Sequence, residues 1–136
     1  MILICLGINY YLCSFEFKVK GDSGARILLS NCENCHGYEI VIGGWDNSQS
    51  AIRDGKQKET NQFLTSTPNI LSQTEFRQFW VKIIKGDKIM ISVGKGGENQ
   101  PFMTTTFKKK KSILYVAFAS QVDGNNEWNV NIKEGT

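Results

Sequence analysis

The stretch FEFKVK, residues 15–20, decides the fold class, because its apolar and charged side chains alternate strictly. In an extended chain Phe15, Phe17 and Val19 point to one side, and the intervening Glu and Lys side chains point to the other. A period of two residues is typical of a strand that has one buried face and one solvated face. The segment therefore predicts a β-strand at the edge of an apolar core.

The same alternation recurs along the chain. It is found at residues 38–42, 89–93 and 128–132. Turn-forming pairs separate these segments, among them Gly21-Asp22, Asp54-Gly55, Gly86-Asp87 and Gly96-Gly97. Residues 113–118 form a continuous apolar run, as expected of a strand covered on both faces. Since no window of twelve residues has a clear 3.6-residue period, we predict an all-β, antiparallel β-sandwich of the jelly-roll type.

Length and composition indicate one domain that spans residues 1–136. Apolar residues make up 40% of the chain, and they include eight Phe, four Tyr and three Trp. This is enough to build one core without a metal ion or disulfide bonds.

The charge balance argues against nucleic acid as a partner. Sixteen basic and thirteen acidic residues give a net charge of +3, spread along the chain and not concentrated on one face. The densest basic run, residues 108–111, lies between two strand-like segments, so a solvated turn explains it best.

The first thirteen residues, MILICLGINYYLC, are apolar but are too short to span a bilayer and lack the positive start of a signal peptide. We interpret them as a first strand and expect no membrane insertion, and the remnant of a signal peptide stays an alternative. The four cysteines leave both the disulfide pattern and the redox compartment open. The chain has no Asn-x-Ser/Thr sequon, which weighs slightly against an extracellular location.

The string CENCH, residues 32–36, has the form of a c-type haem attachment site and contains the only histidine. It falls in a polar loop between strands, whereas a haem needs an apolar pocket and usually a second axial ligand. A zinc ion would need a distant fourth ligand such as Cys5 or Cys13. We therefore expect neither haem nor metal, and oxidation of Cys32 and Cys35 if the protein is secreted.

Common catalytic and cofactor motifs are missing from the sequence. Gly94-Lys95-Gly96 has neither the spacing nor the hydroxyl of a phosphate-binding loop. A dinucleotide- or adenosyl-type glycine turn would need a strand–helix–strand unit. No Gly-x-Ser-x-Gly elbow accompanies the single His36. The motifs predict no catalytic residues and no cofactor.

Four longer segments resemble the farnesoic acid O-methyltransferase domain, a β-rich module of about this size. They are YEIVIGGWDNSQSAIR (38–53), TPNILSQTEFRQFWV (67–81), GDKIMISVGKGGENQPFM (86–103) and ILYVAFAS (113–120), with Trp128 downstream. The resemblance covers about residues 15–128. It departs from the family at residues 104–106, where three Thr stand in place of a common Trp and acidic residue, and at CENCH.

The family name implies transfer of a methyl group from S-adenosylmethionine to a sesquiterpenoid acid. The residues give no doubly wound site for that cofactor, and the resemblance also implies an interaction domain of secreted, multidomain proteins. We therefore expect a non-catalytic recognition module, extracellular in preference to cytoplasmic, for a glycan or a protein. The methyltransferase reaction and a self-associating homo-oligomer are the alternatives.

The candidate ligand-binding residues are Trp45, Asp46, Asn47, Arg53 and Glu98. An aromatic ring beside amides, carboxylates and an Arg suits a sugar, because the ring stacks on C–H faces and the polar groups bind hydroxyls.

Structural roles compete with this interpretation. Trp45 and Trp80 would then be core anchors, and Gly43-Gly44 a bulge. Arg53 must be paired if it is buried, either internally with Glu39 or Glu75 or with an anionic ligand group, and we favour the internal pair.

Overall fold

A computed structural model describes residues 2–3, 11–32, 37–55, 62–108, 113, 115–120 and 125–131. The strands are β1 (Ile2–Leu3), β2 (Tyr11–Lys20), β3 (Ala25–Ser30), β4 (Tyr38–Gly43), β5 (Gln49–Asp54), β6 (Gln62–Ser66), β7 (Arg77–Lys85), β8 (Ile89–Lys95), β9 (Pro101–Phe107), β10 (Tyr115–Ser120) and β11 (Glu127–Asn131). One helical turn, α1 (Gly44–Asn47), connects β4 to β5.

The strands form two antiparallel sheets that pack as a sandwich. The six-stranded sheet has the order β1-β10-β3-β4-β5-β6, and the five-stranded sheet has the order β11-β2-β7-β8-β9. Every strand pairing that the structure describes is antiparallel. The predicted all-β antiparallel sandwich is confirmed, and its jelly-roll subtype stays a prediction.

The core lies between the inner faces of the sheets, and the alternation at residues 15–20 has the predicted effect. Phe15, Phe17 and Val19 are buried, whereas the side chains between them are exposed. Phe17 lies at the centre of an aromatic cluster, with ring centroids 5.7 Å from Phe79 and 5.6 Å from Trp128. Such aromatic pairs contribute about 0.5–1.5 kcal/mol each beyond the burial of their area.

Several element boundaries differ from the sequence-based expectation. β10 begins at Tyr115, inside the apolar run at 113–118, and β5, β6 and β9 have no strict alternation of polar and apolar residues to predict them. The predicted first strand is β1 together with the start of β2. Residues 33–36 of CENCH, 109–111 of the lysine run and Ile132 lie outside the described residues.

Among the residues that the structure describes, no helix is long and apolar enough to cross a membrane.

Candidate ligand-binding turn

The turn between β4 and β5 has an unusual backbone. Trp45, Asp46 and Asn47 have φ values of 49°, 59° and 61°, so three consecutive non-glycine residues are left-handed. Asn and Asp tolerate this region, but for a bulky residue such as Trp45 it is a true outlier. Each left-handed residue costs about 1–2 kcal/mol, and the turn must therefore be held by its surroundings.

Gly43 makes the entry into this turn possible. Its φ is +65°, and a Cβ added there would lie 2.8 Å from Asn47 Oδ1 and 2.8 Å from Leu71 Cδ1. The register shifts by one residue between the Val41–Ala51 pair and the Gly44–Gln49 bridge, so Ile42 and Gly43 lie opposite Ser50, as in the bulge considered from the sequence. Gly43 is the last residue of β4, and its missing side chain lets the turn close against the loop that contains Leu71.

Asn47 fastens the turn to that neighbouring loop, residues 67–72. Its amide donates to the carbonyl oxygen of Leu71 at 2.9 Å, and its Oδ1 accepts from the Leu71 N–H at 3.0 Å. Its own carbonyl accepts from the N–H of Asn69 at 2.9 Å. A side-chain amide that pairs with both groups of one peptide residue is a specific clamp, and no other residue type has this geometry at that length.

A second polar group supports the turn from inside the sandwich. The buried Ser50 hydroxyl accepts from the N–H of Gly43 at 3.1 Å and lies 2.7 Å from the Thr67 hydroxyl. The N–H of Thr67 donates to the Ser48 carbonyl at 2.9 Å. Residues of YEIVIGGWDNSQSAIR and TPNILSQTEFRQFWV thus meet in one hydrogen-bonded network. This network holds the left-handed turn in place.

The turn presents Trp45 to solvent. The residue is 44% exposed, so the role of a core anchor is wrong for Trp45. The Arg53 guanidinium lies 5.8 Å from the centre of the Trp45 ring, within the range of a cation–π contact. The indole therefore rests on Arg53 on one side while much of its surface stays open to water.

Arg53 is in turn fixed by a carboxylate. It lies opposite Glu39 in the β4–β5 register, and its Nε is 3.0 Å from Glu39 Oε1. That N–H is not aligned for a hydrogen bond, so the contact is an ion pair. Arg26 also contacts Glu39 through Oε2. The Arg53 and Glu39 side chains are only 11% and 15% exposed, which confirms the predicted internal pair, with Glu39 as the partner; Glu75 instead contacts Arg77.

Glu98, the fifth candidate residue, is not in this cluster. It follows β8 in the other sheet, where it lines a surface pocket with Trp80. Trp80 is half-buried on the outer face of the five-stranded sheet, so the interpretation of Trp80 as an anchor between the two sheets is wrong as well. Sequence reasoning treated Trp80 as structural, although its position between the buried Phe79 and Val81 indicates the outer face.

The two cysteines that the structure describes take part in disulfide bonds. Cys13, in β2, and Cys32, just after β3, are both disulfide-bonded. Cys32 is therefore oxidised, which is the state expected of it if the protein is secreted. Within the described part of the chain, no group of three or more His, Cys, Asp or Glu residues is placed to hold a metal ion.

The fold and the turn together define a class: a small antiparallel β-sandwich domain that presents an exposed indole on a left-handed turn between two strands. A family model described as farnesoic acid O-methyl transferase matches residues 7–134, a wider range than the 15–128 of the resemblance. The chain belongs to that family. Searches of curated proteins and of solved structures found no match.

Proposed function

We propose that the chain is a non-catalytic recognition module that binds carbohydrate at the Trp45 turn. The exposed indole on a strained backbone carries the proposal. Strained, over-determined backbone is concentrated at functional sites, and a core role that would explain a left-handed Trp45 is missing because the ring is open to water.

The surroundings of the indole suit a sugar. The exposed Asp46 carboxylate lies next to Trp45 in the turn, and the half-buried Asn47 holds the backbone in place. A pyranose ring can stack its C–H face on the indole, while Asp46 accepts hydrogen bonds from its hydroxyls. Arg53 contacts one face of the Trp45 ring and is itself paired with Glu39. Its role is therefore to orient Trp45.

The disulfides support an extracellular location for this module. Disulfide bonds persist in oxidising compartments and are rare in the cytosol, and both described cysteines are bonded. Secreted proteins meet glycans and glycoproteins, which agrees with a recognition role.

A glycan array with the purified domain tests the proposal, followed by titration calorimetry with the best sugar. We expect Trp45→Ala to abolish binding without changing the melting temperature. Phe76→Ala is the matched control, since Phe76 is 42% exposed, similar to Trp45, and lies outside the turn. Absence of any glycan signal, or equal binding by Trp45→Ala and wild type, contradicts the proposal. Binding to a protein in place of a sugar would agree with a recognition role but would change the class of ligand.

The family name favours a second function, transfer of a methyl group from S-adenosylmethionine. The residues do not fit the doubly wound site that commonly binds this cofactor, because in the described part of the chain the strands pair only antiparallel and the one helical element has four residues. Calorimetry with S-adenosylmethionine separates the two functions. A saturable isotherm in the micromolar range would favour the enzyme, and no heat of binding would favour the module.

A further inference from the structure

The outer face of the five-stranded sheet carries a second aromatic platform, which is separate from the Trp45 turn. The β2–β7 and β7–β8 registers place Glu16 and Gly94 on either side of Trp80. A Cβ added to Gly94 would lie 2.1 Å from Trp80 Cε2, within the indole itself. The indole therefore lies flat on the backbone of β8, in space that only glycine leaves open.

The polar end of this indole is already satisfied. Trp80 Nε1 donates a hydrogen bond of 2.8 Å to the Glu98 carbonyl oxygen. This bond fixes the orientation of the ring and ties it to the turn after β8. A ring that is fixed in plane, with one side against Gly94 and its N–H occupied, offers its other side as a flat apolar surface.

Hydrogen-bonding side chains surround that surface. Trp80 lines a pocket of about 370 Å³ together with Glu16, Lys82, Gly97, Glu98 and Asn99. The volume lies near the lower end of the roughly 300–1,000 Å³ found for small-molecule sites. Carboxylates accept hydrogen bonds from hydroxyls, and an ammonium and an amide donate to them. One apolar plane edged by several polar groups matches a hydroxyl-rich ring.

We infer that the Trp80 pocket is a second saccharide site, which takes a neutral pyranose stacked on the indole. Two carboxylates, Glu16 and Glu98, outnumber the single Lys82, so the local charge disfavours uronic and sialic acids. The inference rests on the proposed carbohydrate recognition for its ligand class, but on different residues. A ligand that carries two sugar units and binds both sites at once would gain in avidity.

The test uses the uniformly ¹⁵N-labelled protein, titrated with cellobiose, maltose and lactose, and with glucuronic acid as the acidic comparison. We expect concentration-dependent shifts of the Trp80 indole N–H and of the Gly97 and Asn99 amides with at least one neutral sugar. Glucuronic acid should bind more weakly. Trp80→Ala should abolish these shifts, and Glu16→Gln and Asn99→Ala, which leave the indole in place, should each weaken binding about fivefold.

The outcomes separate the two sites. Shifts at Trp80 that persist in Trp45→Ala support the second site, even if the turn proves to bind nothing. Shifts confined to the Trp45 turn, no shifts with any of the sugars, or unchanged affinity in both Glu16→Gln and Asn99→Ala overturn the inference. Equal or tighter binding of glucuronic acid overturns the assignment to neutral sugars.

Discussion

Arg53 shows how one residue connects the architecture to the candidate site, because it contacts both Glu39 and the Trp45 ring. Arg53→Ala would leave a largely buried carboxylate with Arg26 as its one ion-pair partner among the described residues. Removing one member of a buried pair costs about 3–5 kcal/mol, and we expect the lower end because Arg26 remains. Arg53→Lys should also destabilise the protein, since an ammonium group cannot reproduce the planar guanidinium that pairs with Glu39 and lies over the Trp45 ring. Urea denaturation measures both variants.

The control is Arg26→Ala, which should cost less because the Arg26 side chain is 39% exposed and its ion pair is screened by water. An unchanged free energy of unfolding for Arg53→Ala would show that the pair does not contribute to stability, and would turn attention to a direct role in ligand binding.

Asn47 combines a left-handed backbone with a side-chain clamp, and two substitutions separate these roles. Asn47→Gly loses both hydrogen bonds to Leu71 but suits the backbone, and should cost about 2 kcal/mol. Asn47→Ala loses the same bonds and adds the cost of a left-handed alanine, a further 1 kcal/mol or so. Chemical denaturation should therefore rank wild type above Asn47→Gly, and Asn47→Gly above Asn47→Ala. The reverse order of the two variants would disprove the left-handed turn.

At the scale of elements, the sequence predicts strands best where one face is buried and the other is wet. Residues 15–20 alternate because β2 buries one face in the core and exposes the other, whereas in residues 89–93 the intervening Met90 is half-buried and Ser92 is buried. In β5 the consecutive residues Ser50, Ala51 and Ile52 are all buried, so alternation disappears and the strand has no signal in the sequence. The same reasoning explains why Trp80 was misinterpreted: aromatic identity suggests the core, whereas only its position in the register indicates the outer face.

The packing of the Trp80 indole on β8 depends on the missing side chain of Gly94. Gly94→Ala should displace the indole from the sheet, because the new methyl would lie within the ring. Small-to-large changes of this kind cost about 1–3 kcal/mol, and the near-ultraviolet circular dichroism of Trp80 should change with them. In the double variant Gly94→Ala/Trp80→Ala the clash is absent, so its cost should be smaller than the sum of the two single changes. Strict additivity would contradict the packing of the ring on Gly94.

At the scale of the whole molecule, the sequence was sufficient for the fold class and insufficient for the site. The left-handed turn depends on the contact of residues 43–50 with residues 67–71, which lie apart in the chain and are brought together by the pairing of β5 with β6. Glu98 was grouped with Trp45 from the sequence, yet the two belong to opposite sheets. Composition identifies residues that suit a sugar, but only tertiary structure decides which of them share a surface.

The disulfide bonds of Cys13 and Cys32 bear on the stability of the whole molecule, because a cross-link restricts the entire unfolded chain. Cys13 is buried in the five-stranded sheet, and Cys32 follows β3 of the six-stranded sheet. Disulfides stabilise a fold mainly by restricting the unfolded chain, and loss of a native one typically costs about 2–5 kcal/mol.

We therefore expect a reducing agent to lower the urea midpoint of the intact protein by an amount that corresponds to the loss of about 2–5 kcal/mol in the free energy of unfolding. Thiol titration under denaturing conditions should detect no reaction of Cys13 and Cys32 before reduction. Full reaction of all four cysteines in the untreated protein, or an identical midpoint after complete reduction, would show that the core alone stabilises the sandwich and would remove the support that the disulfides give to an extracellular location.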